Sequence, residues 1–213
     1  MKELDAVYLR LLSAGVALLQ EAAAQGDREW MFRESEQLHE FPTLVGEENF
    51  HRHAYHRYTT TMDYLGWLRS HASREIQLRS GSVYLPLWKQ YDEVAPVDFI
   101  QNKMKEERRA DEVIPPPACH YLHILHGGLV WTRNTARTLD IERVRVEVHH
   151  LRNFPMLIGS DDSSLHRAYL REDYVQYLSW FAAHPAEESA ESFCQPAWAA
   201  LHAIYDNPSP PER

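Results

Sequence analysis

Glu34 and Glu147 are the residues of this chain best placed to do chemistry. Met31 and Leu38 lie three residues before and four after Glu34, so all three share one helical face, and Val144 and Leu151 flank Glu147 in the same way. A carboxylate on an apolar face is costly unless something pairs it. One reading has each carboxylate accept hydrogen bonds from backbone N–H groups of the nearby Phe-Pro-x-Leu segment, or from His53 or His166, which would lock the fold. The other makes them ligands.

A second set supports either reading. His53, Tyr64, Trp67 and His71 are separated by 11, 14 and 18 residues in all. On a continuous α-helix they fall within about 60° of one another. The same types recur as His166, Tyr177, Trp180 and His184. As a polar site between repeats, the stripe would be a wet seam in which each ring buries its body and hydrogen-bonds at its tip. As a functional site, Glu34, His53, Glu147 and His166 would give two carboxylates and two imidazoles to a divalent metal or a metal pair. Lewis-acid or redox chemistry would follow, with Tyr64 and Tyr177 as proton donors. The Glu-x-x-His spacing of helical di-metal sites occurs at Glu36/His39, Glu48/His51 and Glu147/His150, but in no case at both equivalent positions. A symmetric carboxylate-bridged site is therefore not encoded in that way, and no cofactor is expected beyond the metal alternative.

Other histidines are weaker signals. His120, His123 and His126 form a stripe at steps of three, and His51, His53 and His56 cluster, yet neither group recurs at its equivalent positions. A phosphate-cradling glycine loop, a Gly-x-Ser-x-Gly elbow and His-Glu-x-x-His are all missing from the sequence. Nucleotide-dependent and serine-hydrolase activities lose their support.

These pairs exist because the chain contains itself twice. Residues 5–71 align with 118–184 at a constant offset of 113 without a gap, and 18 of the 67 pairs are identical. Chance would give about one match in fifteen. Leu38, Phe41, Pro42, Leu44 and Gly46 return as Leu151, Phe154, Pro155, Leu157 and Gly159. This block has the character of a family signature and by itself specifies no activity.

The expected fold is all-α, an internally duplicated helical domain of two pseudo-two-fold-related repeats with three to four helices each. Repeat one spans 1–92, a charged helical bridge 93–113, repeat two 114–206 and a frayed tail 207–213, all in one compact unit. In each repeat a first amphipathic helix carries a mid-helix glycine, Gly15 or Gly128, which costs about 1 kcal/mol and implies close helix approach, as between the two lobes. Asp27 and Asp140 are predicted N-caps of a second helix. Phe41 and Phe154, each before proline, mark its exit into an elbow closed by Gly46 and Gly159. A third helix runs from the acidic 47–48 or 160–162 stretch to His71 or His184. Pro86 and Pro196 open a short fourth helix, and 74–88, rich in β-formers around Ser80-Gly81-Ser82, also fits a small hairpin. The Pro115-Pro-Pro117 run reads as a stiff extended spacer.

Bulk composition narrows function further. The 213 residues include 22 basic and 31 acidic side chains, a net charge of −9. That argues against a nucleic-acid grip, which needs a basic face, and suits a basic protein partner. Glu36, Glu40, Glu47, Glu48, Glu187 and Glu188 are the candidate contacts. Cys119 and Cys194 stand far apart and outside any CxxC, so a reducing, cytoplasmic setting is expected. Leu11 to Ala24 resembles a signal peptide superficially. Glu3 and Asp5 stand where positive charge belongs, and the same segment returns at 118–138, so it reads as a structural helix. No unbroken apolar run approaches the roughly 20 residues of a membrane span, so no membrane contact is expected. The function these features imply is a non-enzymatic acidic cytoplasmic binding protein, of the immunity or antitoxin-like kind, masking a basic partner. An all-α metal-binding protein or metalloenzyme with an inter-repeat Glu/His site is the alternative, and the sequence leaves the oligomeric state open.

Overall fold

A computed structural model describes residues 3–46, 50–94, 116–138, 140–186 and 188–206; the side chains of Phe50 and His51 are outside the description. Residues 95–113 of the expected bridge, the acidic pair at 47–48, Glu187 and the tail from 207 lie outside it, while residues 93–94 belong to a helix. Among the described residues the secondary structure is entirely helical.

Two helices form the centre. α1 (Glu3–Gln25) buries Val7, Tyr8, Leu11, Leu12, Val16, Leu18, Leu19, Ala22 and Ala23, which cover most of its circumference. α7 (Pro116–Thr135) does the same with Tyr121, Leu122, Ile124, Leu125, Leu129, Trp131 and Thr132. A helix apolar on nearly all sides must be surrounded by others. α1 is long and apolar enough by composition to span a membrane, contrary to the expectation from unbroken apolar runs, but most of that stretch is buried within the protein.

Around α1 and α7 pack α2 (Arg28–Leu38), α3 (Phe41–Leu44), α6 (Arg74–Val94), α8 (Ile141–Leu151), α9 (Phe154–Ile158) and α12 (Ala190–Tyr205). α1 touches α2, α3 and α6 from its own part of the chain and α8 and α9 from the other; α7 touches α8, α9 and α12, and also α2 and α3. α4 (Phe50–Tyr55), a π-helical turn (His56–Thr60) and α5 (Thr61–His71) complete the first half, α10 (Ser163–Arg171) and α11 (Asp173–Ala183) the second.

The caps follow the sequence. Asp27 accepts from Trp30 N at 3.0 Å and Asp140 from Glu142 N at 2.9 Å, each satisfying an otherwise orphan donor of the first turn. Several other expectations are corrected. The stretch 74–88 is no hairpin but part of α6, because Ile76, Ser80, Tyr84, Trp88 and Tyr91 bury one face at helical steps and outweigh local β-propensity. Pro86 and Pro196 sit inside long helices rather than opening short ones. Pro116 and Pro117 begin α7 and are not spacer, since the first helical turn has no use for their missing N–H. Phe41 and Phe154 do not end the second helix. They start one-turn helices with proline in the first turn. Of the two elbow glycines only Gly46, at φ 77°, needs the left-handed region; Gly159 sits at φ −85°. The third helix is not continuous. The π turn interrupts it in the first half, and a break at Glu172 divides it in the second.

The mid-helix glycines do mark close approach, but within each half. A Cβ on Gly15 would lie 2.2 Å from Leu38 Cδ2 and 2.6 Å from the Tyr84 hydroxyl, and one on Gly128 would lie 2.6 Å from Glu147 Oε1. Contact across the halves uses other groups. Arg145 of α8 donates to the carbonyls of Ala23 (2.8 Å) and Ala24 (3.0 Å), meeting C-terminal acceptors of α1, whose own last turn has no basic residue. Arg137 pairs with Glu29 at 3.0 Å and lies over the Phe32 ring, while His126 meets the His39 carbonyl at 2.6 Å.

Candidate functional site: two enclosed carboxyl clusters

The glycine contacts hold α1 close enough to α2 to seal Glu34, which is 0% exposed. Tyr64 of α5 and Tyr84 of α6 both donate their hydroxyls to its carboxyl, and Gln37 Nε2 donates to Oε1 at 3.3 Å. Ser80 Oγ lies 3.4 Å from the Tyr64 hydroxyl. Burial pushes Glu34 up to about 7 against the opposing effect of these donors. Both tyrosines are held well above their ordinary range, first by burial and then by the carboxylate's charge.

Glu147, 1% exposed, has a thinner shell. Tyr177 donates to Oε2 at 2.6 Å, and Oε1 lies against Gly128. Burial again raises the carboxyl to about 7. The thiol of Cys194 is buried nearby and pushed up to about 12, by burial first and by Glu147's charge second. Pro86 and Trp88 match Pro196 and Trp198 at an offset of 110, and the same offset sets Cys194 opposite Tyr84. The second half thus has a small thiol where the first has a second phenol.

The histidines occupy separate places. The Tyr8 hydroxyl meets His53 Nδ1 at 2.6 Å, and Tyr121 meets His166 Nδ1 at 3.1 Å. His166 Nε2 also reaches the Ser160 carbonyl at 2.9 Å, so the proton sits on Nε2 and Nδ1 accepts from Tyr121. Trp67 is half-buried and stacked on exposed His71, with ring centroids 6.5 Å apart; Trp180 stacks on His184 at 4.3 Å. The four proposed metal ligands therefore fall into carboxyl–phenol and imidazole–phenol pairs, each within its own half. Among the described residues no three His, Cys, Asp or Glu side chains gather closely enough to hold a metal ion.

The sequence reading missed several functional partners. Tyr8 and Tyr121 recur at the 113 offset and could have been paired with the recurring histidines; Tyr84 could not, because the offset changes before it. A third buried pair also escaped notice. His56 Nε2 donates to the Gln37 carbonyl at 2.9 Å, and at the equivalent positions His150 and Tyr169 meet at 2.8 Å. Imidazole and partner have exchanged sides. Burial lowers His56 to about 4 and His150 to about 3, so both rings are neutral. His150 stacks on Tyr177 with ring centroids 3.8 Å apart.

A carboxyl titrating near 7 has the affinity of a general acid–base group, but such a group must touch its substrate. Among the described residues, the side chains that donate to Glu34 and Glu147 are Tyr64, Tyr84, Gln37 and Tyr177. Both carboxyls lie in enclosed polar clusters of an all-helical protein. The chain matches no known protein family, no curated protein and no solved structure.

Proposed function

We propose that this is a non-enzymatic acidic binding protein of the cytoplasm, of the immunity or antitoxin-like kind, that masks a basic protein partner. Its two halves are copies of one helical repeat related by an approximate two-fold axis. The repetition is supported by the Tyr–His bonds, which both span 45 residues, and by the Glu34–Tyr64 and Glu147–Tyr177 bonds, which both span 30.

The observation that carries the binding role is a surface stripe on the broken third helix. Tyr55, Tyr58 and Met62 are 62%, 60% and 46% exposed, and exposed Asp63 next to them has no ion-pair partner among the described residues. Tyrosine and methionine are enriched where proteins meet, and uncompensated acids beside them favour a basic counterpart. Glu36, Glu40 and Glu188 add acidic side chains elsewhere, although Glu36 pairs with Arg33 at 3.0 Å.

Calorimetric titration with an amphipathic Lys/Arg-rich helical peptide tests this. Micromolar binding at about 50 mM salt is expected to weaken at least tenfold at about 300 mM, as screening requires. A Tyr55→Ser, Tyr58→Ser variant should weaken it comparably. Binding that ignores the tyrosine substitutions would reduce the effect to bulk charge and reject the stripe. Elemental mass spectrometry on untagged protein addresses the metal alternative. Near-stoichiometric metal that disappears in a folded Glu34→Gln, Glu147→Gln variant would overturn the proposal.

A further inference from the structure

Between α8 and α11 lies a groove of about 330 Å³ whose chemistry departs from the acidic character of the whole chain. Val146, Tyr177 and Trp180 supply apolar and aromatic walls, and His149, Arg152 and Gln176 supply polar ones. Arg152 is exposed and, among the described residues, makes no hydrogen bond or ion pair. Gln20 donates to His149 Nδ1 at 3.3 Å, which leaves the imidazole proton on Nε2 as a free donor. The other charged groups of the groove are engaged. Asp173 accepts from Asn153 at 3.0 Å, and Arg145 is bound to the end of α1.

The duplication supplies the comparison. At the 113 offset, Tyr64 and Trp67 match Tyr177 and Trp180, so the aromatic pair is retained. The polar positions are not: Glu36, His39, Glu40 and Asp63 stand where the second half has His149, Arg152, Asn153 and Gln176. In the first half Glu36 is taken up by Arg33, and His39 is occupied by Arg133 Nη1 at 2.9 Å. At Arg152 the second half sets an unengaged guanidinium beside its aromatic pair, where the first half has His39.

We propose that the α8–α11 groove binds a small aromatic anion, its ring against Trp180, Tyr177 and Val146 and its charged group on Arg152 and His149 Nε2. The volume lies at the lower end of the range of about 300–1,000 Å³ for ligand pockets, which suits one or two fused rings. A planar guanidinium fork matches a carboxylate or a phosphate. The site is independent of the partner-masking role.

The test is calorimetric titration of the full chain with indole-3-acetate, phenyl phosphate and the neutral indole-3-acetamide. Saturable binding of at least one anion is expected with Kd below about 1 mM, and the tighter anion identifies carboxylate or phosphate as the physiological group. Arg152→Ala should weaken it at least tenfold without disturbing the fold, since that side chain is exposed. Trp180→Ala should abolish binding, whereas Trp67→Ala at the equivalent position of the first half should leave it unchanged. The proposal is overturned if neither anion binds at several millimolar, if the amide binds equally well, or if Arg152→Ala has no effect.

Discussion

At the scale of single residues, the glycines on the two central helices are the sharpest constraint. Alanine is the better helix former by about 1 kcal/mol, yet at Gly15 and Gly128 its methyl would fall well inside contact distance of Leu38 and of Glu147. Overpacking of this kind costs about 1–3 kcal/mol. Gly15→Ala and Gly128→Ala should therefore lower the urea midpoint, whereas Gly66→Ala, with nothing within 4 Å of the new Cβ, should raise it. If all three moved alike, propensity rather than packing would be deciding. The glycines were legible in the sequence because they recur mid-helix; what they touch was not. Spacing assigns a residue to a face, but Leu38 and Tyr84 reach Gly15 only through the packing of α2 and α6. The exchange of Gln37/His56 for His150/Tyr169 was illegible for a related reason. At the 113 offset each position taken alone differs, and only the pair retains a buried hydrogen bond.

At the scale of elements, α1 depends on a residue far along the chain. Arg145 forks onto the Ala23 and Ala24 carbonyls, and a charged donor to such acceptors contributes about 1.5–3 kcal/mol, less here because its side chain is 38% exposed. Arg145→Ala should destabilise the protein by about 1 kcal/mol, and hydrogen exchange should accelerate first in the last turn of α1. Arg145→Lys should recover little, since one ammonium cannot reproduce the two-pronged contact. An unchanged exchange pattern would sink this account. The element boundaries show where local signals suffice. Asp27 and Asp140 cap helices because their side chains act within one turn, and the sequence reveals them. The fate of 74–88 turns on Ile76, Ser80, Tyr84 and Trp88 meeting a core that no local window contains. The π turn at His56–Thr60 is similar, placing the His56 ring next to the Phe41 and Trp88 rings at tilted angles.

At the scale of the whole molecule, the enclosed clusters set the response to pH. Glu34 and Glu147 titrate near 7 when folded against an ordinary 4.5, so their contribution is fully present below 4.5 and is lost as pH rises through 7. His56 and His150 have the opposite sign. Their folded values lie near 4 and 3 against 6.5, so stability present above 6.5 is lost as pH falls. Each group contributes a slope of about 1.4 kcal/mol per pH unit. Between 4.5 and 6.5 the two pairs oppose one another, and urea midpoints should stay nearly flat. A Glu34→Gln, Glu147→Gln variant should expose the histidine slope and lose stability as the solution is acidified; a variant as flat as the parent would contradict the assignment. The all-helical class was readable from periodicity across the chain, whereas the enclosure of the carboxyls depended on phenols contributed by separate helices. The placement of α1 against α8 and α9 also bears on biosynthesis. Its partners lie more than 110 residues downstream, and at about 5–20 residues per second a ribosome needs roughly 6–25 s to deliver them. For that interval a long apolar helix of the nascent chain lacks part of its cover, which makes newly made protein a natural client for chaperones.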